Sequence, residues 1–199
     1  MPDAPKQKMT SQEAFDLLKN YEKFSPTVYP DKGGVATIGY GLTKYEFPGL
    51  TLQSTNVLTE PQAAKMLQDK LENKFIPRVQ ELVSVPLTTN QLGALASFMY
   101  NVGEPNFTSS TLRKKLNAGD FEGALKEFPR WNKVRNKDTG KLEPAAGLTD
   151  RRQAEMALFS GDMQELGRKL ELKKFGPPGY AAGYIPKKGS VVKSSGGSR

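Results

Sequence analysis

The sequence predicts an α+β fold that is mostly helical, with one small β lobe at about residues 27–58. Three observations predict it. Apolar residues recur at helical spacing along most of the chain. One stretch, residues 27–43, is instead rich in β-branched residues and glycine. The 199 residues lack cysteine yet suffice to bury a hydrophobic core without cross-links. The expected organisation is a flexible lead at residues 1–9, one domain at 10–170, and a basic Gly/Pro/Ser-rich tail at 171–199.

Thr10-Ser11-Gln12-Glu13 forms a capping box, and Ala14, Leu17, Leu18 and Tyr21 continue it as a helix. Glu22 lies beside the apolar face of that helix, four residues after Leu18. Ser25-Pro26 stops it, because a residue before proline is steered from the α region. Val28, Val35, Thr37, Ile38 and Tyr40 favour short strands around a Gly33-Gly34 turn. Residues 44–58 are irregular.

A second capping box, Thr59 with Gln62, opens a helix carrying Ala63, Met66, Leu67, Leu71 and Phe75, which Pro77 kinks or breaks. The next helix starts at Pro86-Leu87-Thr88, is dense enough in apolar groups to belong at the core, and ends at Gly103. Two short helices follow, around residues 110–116 and 121–128, divided by the turn at Asn117–Asp120. Trp131 anchors the helical part, residues 132–146 form a polar loop, and Thr149 caps a last strong helix that ends at Gly161.

Composition narrows the chemistry. With neither His nor Cys there is no Ser-His-Asp triad, no thiol nucleophile and no zinc site of the usual ligands. Acid–base work near neutral pH then falls to carboxylates, and no cofactor or metal is expected. The first 30 residues hold no long apolar run, so neither a signal peptide nor a membrane anchor is expected. The net charge of +8 is unevenly placed: residues 168–199 carry eight cations against Glu171 alone, which leaves the body nearly neutral. A neutral body without a recognition motif argues against nucleic acid as a partner.

Glycosidic bonds are most often cleaved by two carboxyl groups, one donating a proton and one acting on water or the sugar. Glu22, at a helix end against Leu18 and Phe24, suits the desolvated donor. Asp31, in a wetter Gly-rich loop, suits the charged partner, and Thr37 is placed to position water. The spacing alone equally describes two solvated carboxylates. Tyr29, Tyr40, Tyr45 and Phe107 either line a sugar cleft or pack, and Met66, Met99 and Met156 read as core.

A longer pattern points one way. Glu22, Asp31 and Thr37-Ile38-Gly39-Tyr40-Gly41 are followed by Leu87-Thr88-x-x-Gln91 and Ser97-Phe98-x-x-Asn101-Val102-Gly103. Then come Phe107, Ser110-Thr111-Leu112, Leu116-Asn117-x-Gly119-Asp120 and Trp131. Last are Gly147-Leu148 and Arg151-Arg152-x-Ala154-Glu155-x-Ala157-Leu158-Phe159-x-Gly161. Over residues 10 to about 165, this order of blocks resembles the phage-type lysozymes, the endolysins of glycoside hydrolase family 24.

The resemblance implies a two-lobed lysozyme fold, with the cleft between a β lobe and a helical lobe. It implies hydrolysis, with inversion, of the β-1,4 bond between N-acetylmuramic acid and N-acetylglucosamine in peptidoglycan. Glu22 would be the general acid, while Asp31 with Thr37 would handle water. Arg151, or its neighbour Arg152, would pair with Glu22, and Asn101 would contact sugar; Tyr40 is a second sugar-contact candidate, on the strength of its aromatic ring rather than of the resemblance. Asn101 could equally be a helix cap, and Arg151 a surface cation. Many relatives have His where this chain has Leu42, which touches local packing and cleft polarity rather than the acid and base. The implied protein is a monomer made in the host cytoplasm, acting on the cell wall after holin-dependent release or carriage in the virion. A lysozyme-shaped wall-binding module and another polysaccharide hydrolase are the competing readings.

The tail is either a solvated terminus or a cationic arm for anionic cell-wall or outer-membrane surfaces. In the second case, deleting residues 175–199 weakens binding to isolated walls, most strongly at low ionic strength. Equal binding by both forms in a low-salt pull-down removes that role.

Overall fold

The computed structural model describes residues 12–31, 33–136 and 138–175. The lead at 1–9, Thr10 and Ser11 of the first capping box, Lys32, and the tail from 176 onward lie outside the described residues.

Helix α1 (Gln12–Tyr21) buries Ala14, Leu17 and Leu18, the stripe its sequence spacing sets. It feeds the β lobe, where β1 (Ser25–Pro30) pairs antiparallel with β2 (Ala36–Gly39). Tyr29 lies opposite Thr37 and Pro30 opposite Ala36, with a register irregularity between Ser25 and Tyr29. Single bridges join Thr27 to Val57 and Ile38 to Leu42, so residues 42–58 wrap the ribbon without forming a third strand. Leu42 is fully buried. A Cβ built on Gly39 (φ +64°) would meet its Cδ1 at 3.2 Å and Ala63 Cβ at 3.0 Å. The close fit therefore depends on glycine at 39 and an apolar group at 42.

Helix α2 (Glu60–Lys70) starts at a complete capping box: Thr59 N–H donates to Gln62 Oε1 at 2.9 Å, and Gln62 N–H to Thr59 Oγ1 at 3.4 Å. Pro77 neither ends nor sharply breaks the helical run. A π turn (Leu71–Phe75) leads into α3 (Ile76–Leu82), with Ile76 N–H donating to Leu71 O. Proline lacks an N–H and crowds the carbonyl of the preceding turn. Widening the turn just ahead of it gives the ring room inside the first turn of α3.

Helix α4 (Thr89–Val102) is the centre of the helical lobe. A second full capping box, Thr88 with Gln91, starts it, Leu92 to Met99 are all buried, and Gly103 (φ +86°) stops it. Three short helices follow: α5 (Glu104–Ser109), α6 (Thr111–Asn117) and α7 (Phe121–Leu125). A 3₁₀ turn (Phe128–Trp131) completes a cluster in which Phe98 meets Phe128, Trp131 and Phe107 at centroid distances of 5.1, 5.6 and 6.3 Å. Helix α8 (Ala146–Ser160) packs along α4 and against α1, and α9 (Met163–Phe175) covers α8 and α1.

Four expectations are corrected. Helix α5 was not expected, and α8 begins before Thr149, whose hydroxyl bonds back to Ala145 O instead of capping. The polar loop contains a hairpin, β3 (Lys133–Arg135) with β4 (Leu142–Pro144). Helix α9 carries regular structure five residues into the segment assigned to the tail, since it runs to Phe175. Among the described residues no helix is long and apolar enough to cross a membrane, and no His/Cys/Asp/Glu group is arranged to hold a metal.

Truncating Leu42 leaves a cavity that Gly39 and Ala63 are too small to fill. Leu42→Ala is expected to lower stability by about 2–5 kcal/mol, read from urea unfolding with an unchanged m value.

Candidate active site

Glu22 follows the last residue of α1, its N–H still donating to Leu18 O at 2.9 Å. Its carboxylate does not sit in an apolar pocket: Oε1 accepts from Arg151 Nη1 at 2.6 Å, and the side chain is 22% exposed. Arg151 is buried on α8. Its Nε donates to Glu155 Oε1 at 3.2 Å and its Nη2 to Ser97 O at 3.3 Å, so its fork is held on three sides. Burial opposes the charge on Arg151, but the carboxylates of Glu155 and Glu22 outweigh it and hold the guanidinium above its ordinary range.

Glu155 is completely buried. It accepts from Ser97 Oγ at 2.9 Å and from Arg152 Nη2 at 3.0 Å, and Arg152 Nε lies 2.9 Å from its second oxygen. Helical spacing explains how one carboxylate reaches two consecutive arginines, which stand three and four residues before it. Arg152 faces elsewhere: its Nη2 also donates to Asn101 Oδ1 at 2.9 Å, and its guanidinium lies 4.8 Å from the Phe98 ring centre. Burial pushes Arg152 down to about 10, which leaves it charged at neutral pH. The residue on Glu22 is therefore Arg151, and Arg152 is on Asn101.

On the β lobe, Asp31 is exposed and its Oδ1 accepts from the N–H groups of Gly33 and Val35, both at 2.8 Å. Gly34 (φ +79°) closes the turn by donating to Asp31 O at 3.0 Å. Thr37 is buried and its hydroxyl donates to Val35 O at 2.9 Å, which leaves its oxygen lone pairs as acceptors. Tyr29 lies across the ribbon from Thr37. Burial raises its phenol, and the charges of Glu22 and Asp31 raise it further.

Tyr40 is corrected from sugar contact to packing. With 3% of its surface exposed, its ring offers no face for a sugar to stack on. Its hydroxyl donates to Glu60 Oε1 at 2.9 Å, Glu60 pairs with Lys19 of α1 at 3.0 Å, and its ring lies 5.5 Å from Phe24. Phe107 is likewise buried, whereas Tyr45 is 77% exposed beside Lys44 and Lys74. Asn101 is exposed in the last turn of α4, one residue short of its end, and does not cap it.

Sequence reasoning missed the groups that fasten the β lobe here. Tyr100 donates to Tyr40 O at 2.7 Å, and burial, Glu22 and Glu46 push its phenol far up. Lys70 donates to Gly41 O at 3.3 Å and pairs with Glu46 at 3.2 Å. Glu46 in turn accepts from Thr43 N–H at 3.1 Å. In the helical lobe, the role of Glu155 as partner to both arginines was also missed, although its spacing from them was a signal in the chain.

A helix-end Glu braced by arginine and a β turn that carries Asp occur here in a lysozyme-like fold. A profile of the phage lysozyme family matches residues 19–155. The chain is 40% identical over 149 residues to the endolysin of Acyrthosiphon pisum secondary endosymbiont phage 1, covering 75% of this chain and 96% of the relative. It is 35% identical over 165 residues to the endolysin of Bacillus phage B103, where it covers 82% of this chain but spans 59% of that longer protein. The solved muramidase domain of SpmX from Asticaccaulis excentricus matches with a TM-score of 0.66 and 29% identity, over 75% of this chain and 95% of that domain. The chain belongs to the phage lysozyme family and is a lysozyme-type glycoside hydrolase.

Burial disfavours the charged form of Glu46, but the Thr43 N–H and the Lys70 and Lys74 cations outweigh it and hold the carboxyl below its ordinary value. A depressed folded value means stability that is fully present above the ordinary carboxylate range and lost as pH falls through the folded value. Wild type is expected to exceed Glu46→Gln in stability by a constant margin from neutral pH down to the ordinary carboxylate range. That margin closes at lower pH, as read from urea midpoints across a pH series.

Proposed function

We propose that this enzyme is an endolysin-type muramidase. It hydrolyses the β-1,4 bond between N-acetylmuramic acid and N-acetylglucosamine, with inversion, and so breaks the host cell wall. The observation that carries the reading is the Arg151-braced Glu22 at the end of α1, beside a β turn that presents Asp31. The endolysin and muramidase relatives support the same substrate.

In this reading Glu22 gives its proton to the glycosidic oxygen as the bond from the muramic acid C1 breaks. A water attacks C1 from the opposite face. Asp31 has Oδ1 occupied by the Gly33 and Val35 N–H groups, so its other oxygen takes the proton that the water loses. Thr37 has its own hydrogen committed to Val35 O, so it accepts the second water hydrogen and aims the oxygen lone pair at C1. The negative charge of Asp31 also favours the positive charge that develops on the sugar. Asn101, exposed near the end of α4, contacts the bound strand. Release through a holin or carriage in the virion brings the enzyme to the wall.

Glu22→Gln is expected to fold normally and to lose wall-clearing activity, by about 10²–10⁴-fold if only the proton transfer is lost. Asp31→Asn should fall comparably. Mass spectrometry of the released muropeptides decides the reaction type: reducing-end N-acetylmuramic acid supports hydrolysis, and an anhydro product overturns it. Retained turnover in folded Glu22→Gln removes Glu22 as the acid.

A further inference from the structure

The guanidinium of Arg152 is fixed before any substrate arrives. It is almost fully buried, lies 4.8 Å from the Phe98 ring centre, donates from Nη2 to Glu155 Oε1, and has Nε in ionic contact with the second Glu155 oxygen at 2.9 Å. Its Nη2 has two hydrogens. One goes to Glu155 Oε1 at 3.0 Å and the other to Asn101 Oδ1 at 2.9 Å. Arginine has donors and no acceptor, so the Asn101 atom that faces it must be the amide oxygen. The amide nitrogen is therefore turned away from the guanidinium, on a residue exposed to solvent. Asn101 lines a groove of about 480 Å³ with Val102, Trp131 and Leu148 as its apolar part and Arg130 and Lys133 at its charged part.

We propose that Arg152 is a positioning residue for substrate binding. By holding the Asn101 carbonyl, it makes the Asn101 N–H₂ the group offered to substrate, for an acceptor oxygen such as an acetamido carbonyl or a sugar hydroxyl. An unrestrained asparagine exposes either end of its amide to the cleft, and half of those orientations set oxygen against oxygen. Arg152 removes that choice. The same Glu155 oxygen also receives Arg151 Nε, so the general acid and the substrate amide share one anchor. The inference rests on the muramidase reading and on Asn101 as a strand contact.

The test is steady-state kinetics on soluble, uncross-linked peptidoglycan strands with Asn101→Asp, Asn101→Ala, Arg152→Lys and the double variant Asn101→Ala/Arg152→Lys. Asn101→Asp keeps the shape and the Arg152 partner but replaces the outward donor with an acceptor. It is expected to raise KM about tenfold, more than Asn101→Ala, with kcat within about twofold. Arg152→Lys is expected to raise KM severalfold with Asn101 present and to add little in the Asn101→Ala background. An equal rise of KM in both backgrounds, or none in either, overturns the positioning role. If Arg152→Lys melts far below wild type, the Asn101 pair decides: Asn101→Asp binding as well as wild type overturns the proposal. Unchanged KM in Asn101→Ala removes Asn101 as a contact, and the proposal with it, while wild-type release of reducing-end product leaves the muramidase reading standing.

Discussion

A single buried carboxylate organises the helical side of this enzyme. Glu155 has no contact with water, and a charge in that position costs several kcal/mol unless partners surround it. The protein surrounds it with two guanidiniums and a hydroxyl, which come from α8 itself and from α4. The three hydrogen bonds to Glu155 Oε1 therefore require α4 and α8 to lie side by side at close range, the most extensive helix contact among the described residues. It also leaves each arginine with donors to spare. Those spare donors point to Glu22 and to Asn101, so the pair of arginines that surrounds one buried charge also holds two side chains outside the core.

The β lobe is secured by a different means. Its turn at residues 40–46 hands main-chain carbonyls to Tyr100 and Lys70, and its Tyr40 side chain reaches Glu60 and, through it, Lys19. Helices α1, α2 and α4 thus all grip one short segment. Glycines at 39 and 41 make this possible, because both adopt positive φ and a Cβ on Gly41 would stand 3.0 Å from the Tyr100 hydroxyl. Asp31 and Thr37 lie on the far side of that anchored turn, in a ribbon whose own sheet has two strands.

What the sequence showed and what it hid follow from range. The capping boxes at Thr59 and Thr88 and the stops at Gly103 and Gly161 were legible because each acts within one turn of chain. The two-lobed fold was legible from the order of its blocks. Helix α5 was hidden because six residues with one buried side chain, Phe107, show no period. The hairpin at 133–144 was hidden because every strand residue in it is exposed, so no alternation exists to detect. At the candidate site, Glu22, Asp31 and Thr37 could be named from the chain as candidates, but which of Arg151 and Arg152 pairs with Glu22 could not. Consecutive residues on a helix face different ways, and only the packing of α8 on α4 decides which one meets Glu22. The glycines beside Tyr40 marked a bend with close backbone approach, but an aromatic ring reads the same in a sequence whether it stacks on sugar or packs inward, and here it is buried.

The π turn ahead of Pro77 bears on how this helix tolerates change in length. A π turn spans one residue more than an α turn between bonded groups, as Ile76 bonding to Leu71 shows. The extra residue is stored in place, so the apolar stripes of α2 and α3 keep their own facings on either side of it. Losing one residue between 71 and 75 would convert the bulge to ordinary helix rather than rotate everything downstream. The helical run from α2 to α3 therefore carries a slot in which its length can vary by a residue while Lys70, at the edge of that slot, keeps its hold on Gly41 and Glu46.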